Sequence, residues 1–337
     1  MMDVIIDGQF GSTGKGLLAG YRARTHHYDI FASSLAPNAG HTYRNRCGLR
    51  VMVKQLPVGA VLNPRSMIYI TAGSVIEPIS FLREVCTYGI DHERIAIHPS
   101  AAVVEACDVE FETDPSSSVA RIASTASGTG HALARKILRS SCLAERHPLL
   151  QPFVRPFDLA YHLDQGCTAL METAQGMSLG INAGFYPHCT SREVSVSQAL
   201  SDARLHPRYL GEVIMSLRTY PIRVGDTPAG TSGPFYPDSV ETTWHALNQP
   251  AERTTVTNRI RRVATFSQQQ LRDALVLIRP DVIFLNFYNY VRSIEEMCTF
   301  TRLLKGKRLL VGTGPCIEDV YELQSAAHLL TFTGLLK

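Results

Sequence analysis

Two glycine-bearing segments near the start of the chain hold the residues best suited to chemistry. The first, Gly8-Gln9-Phe10-Gly11-Ser12-Thr13-Gly14-Lys15-Gly16, combines glycines, two hydroxyls and a lysine. Glycines let backbone N–H groups close on phosphate oxygens, Lys15 supplies a point charge, and a helix beginning there adds its dipole. The run from Gly8 to Gly14-Lys15 is one residue longer than the common phosphate loop, and Gly16 stands where that loop has Ser or Thr. The motif is a variant with the same physics, and a ligand-free strand-to-helix turn is the competing reading. The second segment, Pro37-Asn38-Ala39-Gly40-His41-Thr42, sets an imidazole beside a glycine. A pKa of about 6.5 suits proton transfer, although a lone histidine is more often a surface or satisfied core residue.

Such loops need a rigid frame. Val4 to Ile6 is a short apolar run ending at the first loop, and Leu17 to Thr25 continues as a helix, which gives a strand, phosphate-loop, helix order. Met67 to Ile70, Ile95 to Ile97, Asp281 to Leu285 and Arg308 to Val311 read as buried strands. Ile79 to Tyr88, Ser267 to Ile278 and Arg292 to Leu304 read as amphipathic helices between them. The alternation predicts an α/β fold, a mostly parallel central sheet with flanking helices and insertions. Residues 107–156, Ser/Thr/Gly-rich and then helical, read as an insertion on the sheet, so 1–337 forms one domain. Pro228 to Pro237 reads as an ordered surface loop of the kind that carries function.

Composition narrows the partners. A net charge of +3 from 33 basic and 30 acidic residues gives no polycationic face, so nucleic acid is not expected. The eight cysteines never approach a C-x-x-C spacing, which argues against a zinc ribbon or a disulfide scaffold. The chain runs from Met1-Met2-Asp3 into Val4-Ile5-Ile6 with no basic leader, and no segment is long and apolar enough to span a bilayer. The expectation is a soluble cytoplasmic protein, in the host cytoplasm if the chain is viral.

Taken together, the glycine loop and the Asn38-Ala39-Gly40-His41-Thr42 segment resemble the adenylosuccinate synthetase family, and the resemblance runs in order through the chain. Ser124-Thr125-Ala126-Ser127-Gly128-Thr129-Gly130 is similar to the family's loop for the nucleotide phosphate. Glu172-Thr173-Ala174-Gln175-Gly176 is similar to its Glu-Gly-Ala-Gln-Gly, and Tyr186-Pro187 through Thr190-Ser191 to its Tyr-Pro-Tyr-Val-Thr-Ser. Arg223-Val224-Gly225 resembles its ribose contact, Thr257-Asn258-Arg259-Ile260-Arg261-Arg262 its arginine loop, and Thr313-Gly314-Pro315 its turn against the donor purine.

The resemblance implies a C–N ligase working in two steps. The donor's γ-phosphoryl moves to O6 of a 6-oxopurine monophosphate, and the amine of L-aspartate then displaces it, with Mg2+ and cations neutralising charge. Catalysis falls to Ser12, Lys15 and His41. The substrate nucleotide falls to Ser12, Asn38, Ser124, Thr125, Gln175, Thr190, Val224 and Gly225, with Arg139 reaching across a homodimer interface. Aspartate falls to Val256, Thr257, Arg259, Arg261 and Arg262. The donor falls to Thr13, Gly14, Lys15, Gly16, Gly40, His41, Thr42, Asn286, Gly312, Thr313, Gly314 and Pro315, and the carbonyl of Gly40 to the metal.

Two departures from the family set the substrates. Ser12 replaces the aspartate that takes the N1 proton and helps hold magnesium, and a hydroxyl cannot be the resting base that an ionised carboxylate is. Its shorter side chain leaves room for a C2 substituent, as in the bacteriophage branch of the family, which condenses dGMP with aspartate on the route to 2-aminoadenine. Asn286 replaces a guanine-reading aspartate; an amide offers one donor and one acceptor, which matches adenine and points to ATP or dATP. A conventional enzyme acting on IMP and a nucleotide-binding regulator without turnover are the alternatives.

Overall fold

A computed structural model describes residues 1–254 and 257–332. Nine strands form the central sheet: β1 Met2–Asp7, β2 Ile30–Ser34, β3 Met67–Ile70, β4 Ile95–Ile97, β5 Ala169–Thr173, β6 Leu210–Arg218, β7 Val282–Asn286, β8 Arg308–Gly312 and β9 Val320–Leu323. Their spatial order is β9-β8-β7-β6-β1-β5-β2-β3-β4. All neighbours pair in parallel except β8 and β9. The expected α/β architecture is thus observed, with β1 at the centre of the sheet.

Both faces of the sheet are covered, which is why its strands carry continuous apolar runs. Ile5, Phe31, Leu170, Ile214 and Phe284 face one core together with Leu18 of helix α1, Lys15–Thr25. Ile6, Met215, Leu217, Ile283 and Leu285 face the other, against Leu271 and Ala274 of the helix Gln268–Ile278 and Met297 and Phe300 of Ile294–Leu303. Single residues alternate between these two cores along β6, β7 and β8, and between the first core and a third cluster of Ala32, Tyr69 and Met171 along β2, β3 and β5, the period-two pattern of extended chain.

The edge strand β9 was not among those expected. Neither were the three parallel strands β2, β5 and β6, of which β5 and β6 flank β1 directly. Each ends in buried polar residues: Ser33 and Ser34 in β2, Glu172 and Thr173 in β5, Ser216 and Arg218 in β6. These ends interrupt the apolar signal, and two of these residues, Glu172 and Arg218, hold His41 and the carbonyl of Ser12. Ligands of open parallel sheets bind outside the carboxyl ends of the strands, and all the glycine-rich loops here emerge there. Residues 106–153 carry the short helices Ala106–Thr113, Ser118–Arg121 and Thr129–Ile137 followed by single 3-10 turns. Among the described residues no helix is long and apolar enough to cross a membrane.

Candidate active site

The chain leaves β1 at Asp7 and turns through Gly11 (φ 88°), Ser12 (φ 58°) and Gly14 (φ 94°) into α1. Three left-handed residues so close together suit glycine best, and they curl the backbone so that its amides face inward. The loop is built over one buried carboxylate. Asp7 Oδ1 accepts from the amides of Gln9 (2.8 Å) and Gly11 (3.2 Å), while Oδ2 accepts from Thr13 Oγ1 (2.5 Å) and Lys15 Nζ (3.3 Å). Lys15 also donates to the carbonyl of Gln175 at 2.6 Å and is almost fully buried. Asp7 was not foreseen as a site residue. A carboxylate closing an otherwise apolar strand just before a glycine loop was the available signal.

His41 starts the short strand His41–Arg44 and is pinned by a second unforeseen carboxylate. Its Nδ1 lies 3.1 Å from Glu172 Oε2, and Glu172 Oε1 accepts from the amide of Gly59 at 3.1 Å. The other ring nitrogen, Nε2, is buried with no partner among the described residues, and His41 lines the cavity above Lys15. An oriented imidazole with one free nitrogen is the arrangement that acid or electrophilic catalysis needs.

Two adjoining cavities open over these groups. One, of about 240 Å³, is lined by Ser12, Gly14, Lys15, Gly16, Gly40, His41, Thr42, Glu252, Arg261 and Phe287 among others. The second, of about 330 Å³, is lined by Ser124, Thr125, Thr190, Arg223 and an apolar wall of Val119, Ile122 and Ala123 among others. Phe10, Asn38, Thr125, Gln175, Leu179 and Val224 line both, so the two are compartments of one site. Gln175 Nε2 donates to Asn38 Oδ1 at 3.1 Å across the shared wall.

Ser12 Oγ accepts from Arg261 Nη1 at 2.5 Å. Burial pushes the Arg261 guanidinium down to about 10, with Glu252 opposing that shift. Behind it, fully buried Arg218 grips Glu252 in a bidentate pair (2.6 and 3.1 Å), donates to the carbonyl of Ser12 at 3.2 Å and stacks 4.0 Å from the Phe287 ring. Tyr290 adds a hydrogen bond to Glu252 at 3.0 Å. Burial alone would raise Glu252, but the guanidiniums of Arg218 and then Arg261 hold it below the usual carboxylate range.

Several expected residues stand elsewhere. Arg259 spends its guanidinium on the carbonyls of Gly225 (3.1 Å), Ala123 and Ser124 (both 2.8 Å) and on Thr257 Oγ1 (3.0 Å), so it ties the arginine loop to the nucleotide loop. Arg262 is paired with Glu241 (2.6 Å) and Asp226 (3.4 Å) and lines neither cavity. Of the three arginines expected for aspartate, Arg261 is the one that faces a cavity, because carboxylates and carbonyls of the protein already occupy the other two. Val256 lies outside the described residues. Asn286 was expected at the donor purine; its amide donates to the carbonyl of Thr13 (3.1 Å) and accepts from the amide of Phe287 (2.9 Å), and it lines neither cavity. Thr313 bonds Asp319 O through its amide at 2.9 Å, and Gly314 packs against Asp319; neither lines these cavities, nor do Gly312 and Pro315. Gly225 meets Arg259 beside the cavity wall, and Arg139 is exposed just past the helix Thr129–Ile137, outside both cavities. The loop Pro228 to Pro237 keeps Pro228, Thr231, Pro234 and Pro237 exposed while Arg223 donates to Ser232 O (2.7 Å) and Pro234 O (3.2 Å), and Ser232 lines the larger cavity.

The donor set tests the fit of a divalent cation. Asp7 has four donors, Glu252 is held by Arg218 and the hydroxyl of Ser12 by Arg261, so among the described residues the smaller cavity, which Gly40 lines, offers a cation neutral oxygens and no free carboxylate. That set fits a Mg2+ that arrives on phosphates and keeps several waters. Among the described residues, Glu105, Cys107 and Asp108 form the one compact group of potential ligands, and Arg135 already donates to all of them.

A parallel sheet with a glycine loop over a buried lysine and an adjoining nucleotide-sized cavity defines a phosphoryl-transfer enzyme of the α/β class. The sequence pattern of adenylosuccinate synthetase matches residues 4–152 and 143–309, and the chain belongs to that family. It is 36% identical over 342 residues to the N6-succino-2-amino-2'-deoxyadenylate synthase of Vibrio phage phiVC8, covering 95% of this chain and 97% of that protein. The adenylosuccinate synthetase of Pyrococcus sp. (strain ST700) is 29% identical over 80% of this chain and 78% of its own. Among solved structures, the cyanophage S-2L succinoaminodeoxyadenylate synthetase bound to dGMP and dATP superposes with a TM-score of 0.88 at 35% identity, covering 99% of this chain and 98% of that one. Adenylosuccinate synthetase from Plasmodium falciparum shares the fold, with a TM-score of 0.80 at 17% identity over 96% of this chain and 99% of that one.

Proposed function

We propose that the chain is a ligase that condenses L-aspartate with dGMP through a 6-phosphoryl intermediate, using ATP or dATP, to give N6-succino-2-amino-2'-deoxyadenylate. The observation that carries this reading is Ser12. A short hydroxyl, held by Arg261 where the family has a carboxylate, leaves space for the 2-amino group of guanine. The phage relatives and the cyanophage structure with dGMP and dATP support the same substrates. The apolar wall of Val119, Ile122 and Ala123, which offers a 2'-hydroxyl no side-chain hydrogen-bond partner, supports a deoxyribose.

In this reading the donor's phosphates lie on the loop amides and Lys15. Mg2+ arriving with the donor, near the carbonyl of Gly40, would neutralise charge on those phosphates. His41 Nε2, oriented by Glu172, faces the oxygens that bridge donor and acceptor, and its free valence suits a hydrogen bond to the transferring group. Asn38, Thr125, Gln175 and Thr190 surround the acceptor nucleotide, and Arg261 meets a carboxylate of aspartate. Arg139 would complete the phosphate site of a second copy in a homodimer. The enzyme would draw its nucleotides and aspartate from the host cytoplasm.

The test offers dGMP, GMP and IMP in turn to purified protein with Mg2+, aspartate and ATP, following phosphate release and the succino product. Turnover on IMP with none on dGMP would sink the reading in favour of a conventional synthetase. Binding of dGMP and ATP without turnover would point to a regulator.

A further inference from the structure

Asn286 ends β7 directly beneath the phosphate loop. It is 4% exposed, its Nδ2 donates to the carbonyl of Thr13 at 3.1 Å, and its Oδ1 accepts from the amide of Phe287 at 2.9 Å. Phe287 takes a left-handed conformation (φ 57°) that brings its amide back to that oxygen. The carboxamide fills a slot between two glycines: a Cβ on Gly14 would fall 2.1 Å from Nδ2, and one on Gly312 2.2 Å from Oδ1. Both polar ends of the side chain are therefore engaged with the backbone, and Asn286 is not among the residues that line either cavity.

A planar trans peptide points its C=O and N–H in opposite directions. With the Thr13 carbonyl drawn toward Asn286, the Gly14 amide faces away from Asn286, toward the cavity that Gly14 lines. Arg218 acts in the same sense one peptide earlier, holding the carbonyl of Ser12 at 3.2 Å.

We propose that Asn286 is a positioning residue of the phosphate loop, whose carboxamide sets the direction of the Thr13–Gly14 peptide so that an amide, and not a carbonyl, meets the donor's phosphates. This rests on the loop being the donor-phosphate site, and it assigns no base-reading role to Asn286. An aspartate at this position would not restore guanine recognition. Ionised, it is an acceptor only and opposes the Thr13 carbonyl; protonated, its O–H replaces the lost donor. The charged groups on the surrounding elements are already paired, Lys15 with Asp7 and Arg218 with Glu252, so burial beside a carbonyl raises the pKa of the introduced carboxyl.

The experiment measures binding of Mg·ATP and Mg·GTP by calorimetry, without acceptor nucleotide, to the wild type, Asn286→Asp and Asn286→Ala between about pH 5 and pH 8. Asn286→Asp is expected to bind Mg·ATP roughly 30-fold more weakly at the alkaline end and to recover as the pH falls, with no gain for Mg·GTP. Asn286→Ala, which loses the donor without repulsion, is expected to bind roughly 5-fold more weakly at every pH, and it carries the test if the aspartate variant does not fold. A switch toward Mg·GTP in Asn286→Asp would overturn the proposal in favour of base reading. Lowered thermal stability with unchanged binding in either variant would overturn it in favour of a purely structural role. Since no acceptor is present, failure of dGMP as substrate would leave these outcomes readable.

Discussion

Exchange of Asp7 for asparagine tests how the phosphate loop is charged from below. Asp7 is fully buried, and at 3.3 Å from Lys15 Nζ the pair is worth about 5 kcal/mol at an effective dielectric constant of about 20. Asparagine removes that attraction and also turns one acceptor into an NH2 group facing either Thr13 Oγ1 and Lys15 or the amides of Gln9 and Gly11. Lys15 keeps the Gln175 carbonyl at 2.6 Å, so the net loss is expected near the usual range for breaking a buried pair, about 3–5 kcal/mol. At roughly 2–3 °C per kcal/mol for a chain of this size, Tm falls by roughly 6–15 °C. Mg·ATP supplies Lys15 with a new anion, so a saturating donor narrows the gap between variant and wild type. Thermal and urea unfolding of both proteins, each with and without Mg·ATP, provide the comparison. A loss below about 1 kcal/mol in the free protein, or a gap that nucleotide leaves unchanged, would refute the placement of Asp7 as the counter-charge of the loop.

The remaining predictions concern the chemistry and its setting. His41→Ala should lower kcat roughly 100-fold or more with little change in the KM for dGMP, and Glu172→Gln should give a smaller loss of the same kind; steady-state kinetics that show the effect in KM alone would count against the role of Nε2. Glu252 sits below the ordinary carboxylate range, so its ionised form stabilises the fold above its unfolded pKa of about 4.3, and this contribution disappears as pH falls through the lower folded value. Urea unfolding across acid pH should show that limb in the wild type and a flatter one in Glu252→Gln; parallel curves would speak against the Arg218–Glu252 assembly. Ser12→Asp places a carboxylate against Arg261 and is expected to raise turnover on IMP relative to dGMP at least 10-fold (about 1.4 kcal/mol); an unchanged ratio in competition assays would remove Ser12 as the specificity residue. If Arg139 serves the neighbouring copy, mixing inactive Arg139→Ala and Lys15→Ala chains restores part of the activity, and mixing without recovery excludes a shared site.

The glycine loop, α1 and the strands β1, β3, β4, β7 and β8 were legible because an apolar run, a glycine turn and a periodic helix are local signals. The strands β2, β5 and β6 were not, since Ser34, Thr173 and Arg218 at their carboxyl ends break the apolar pattern for reasons that only the folded site explains. Asp7 and Glu172 were overlooked as working residues for a related reason. Lys15 reaches Asp7 across the whole glycine loop, and the histidine that Glu172 holds is 131 positions away. The arginine loop shows the converse. Three guanidiniums in sequence suggested three carboxylate contacts, but Glu241 and Asp226 hold Arg262, and the carbonyls of Ala123, Ser124 and Gly225 hold Arg259. Charge composition alone does not reveal which cations are already neutralised within the protein.

The wall shared by the two cavities has a consequence for fidelity. A phosphorylated purine is prone to attack by water as well as by an amine, and each such event wastes one high-energy phosphate. Phe10 stands in that wall, edge-on to Phe185 at 5.2 Å and beneath the Arg223 guanidinium at 4.4 Å, with Leu179 and Val224 beside it. In the proposed reaction this apolar part of the wall, beside the polar Asn38, Thr125 and Gln175, would shield the phosphorylated purine from water until aspartate arrives. Opening it would turn part of the ligase's flux into futile hydrolysis and lower its energetic yield.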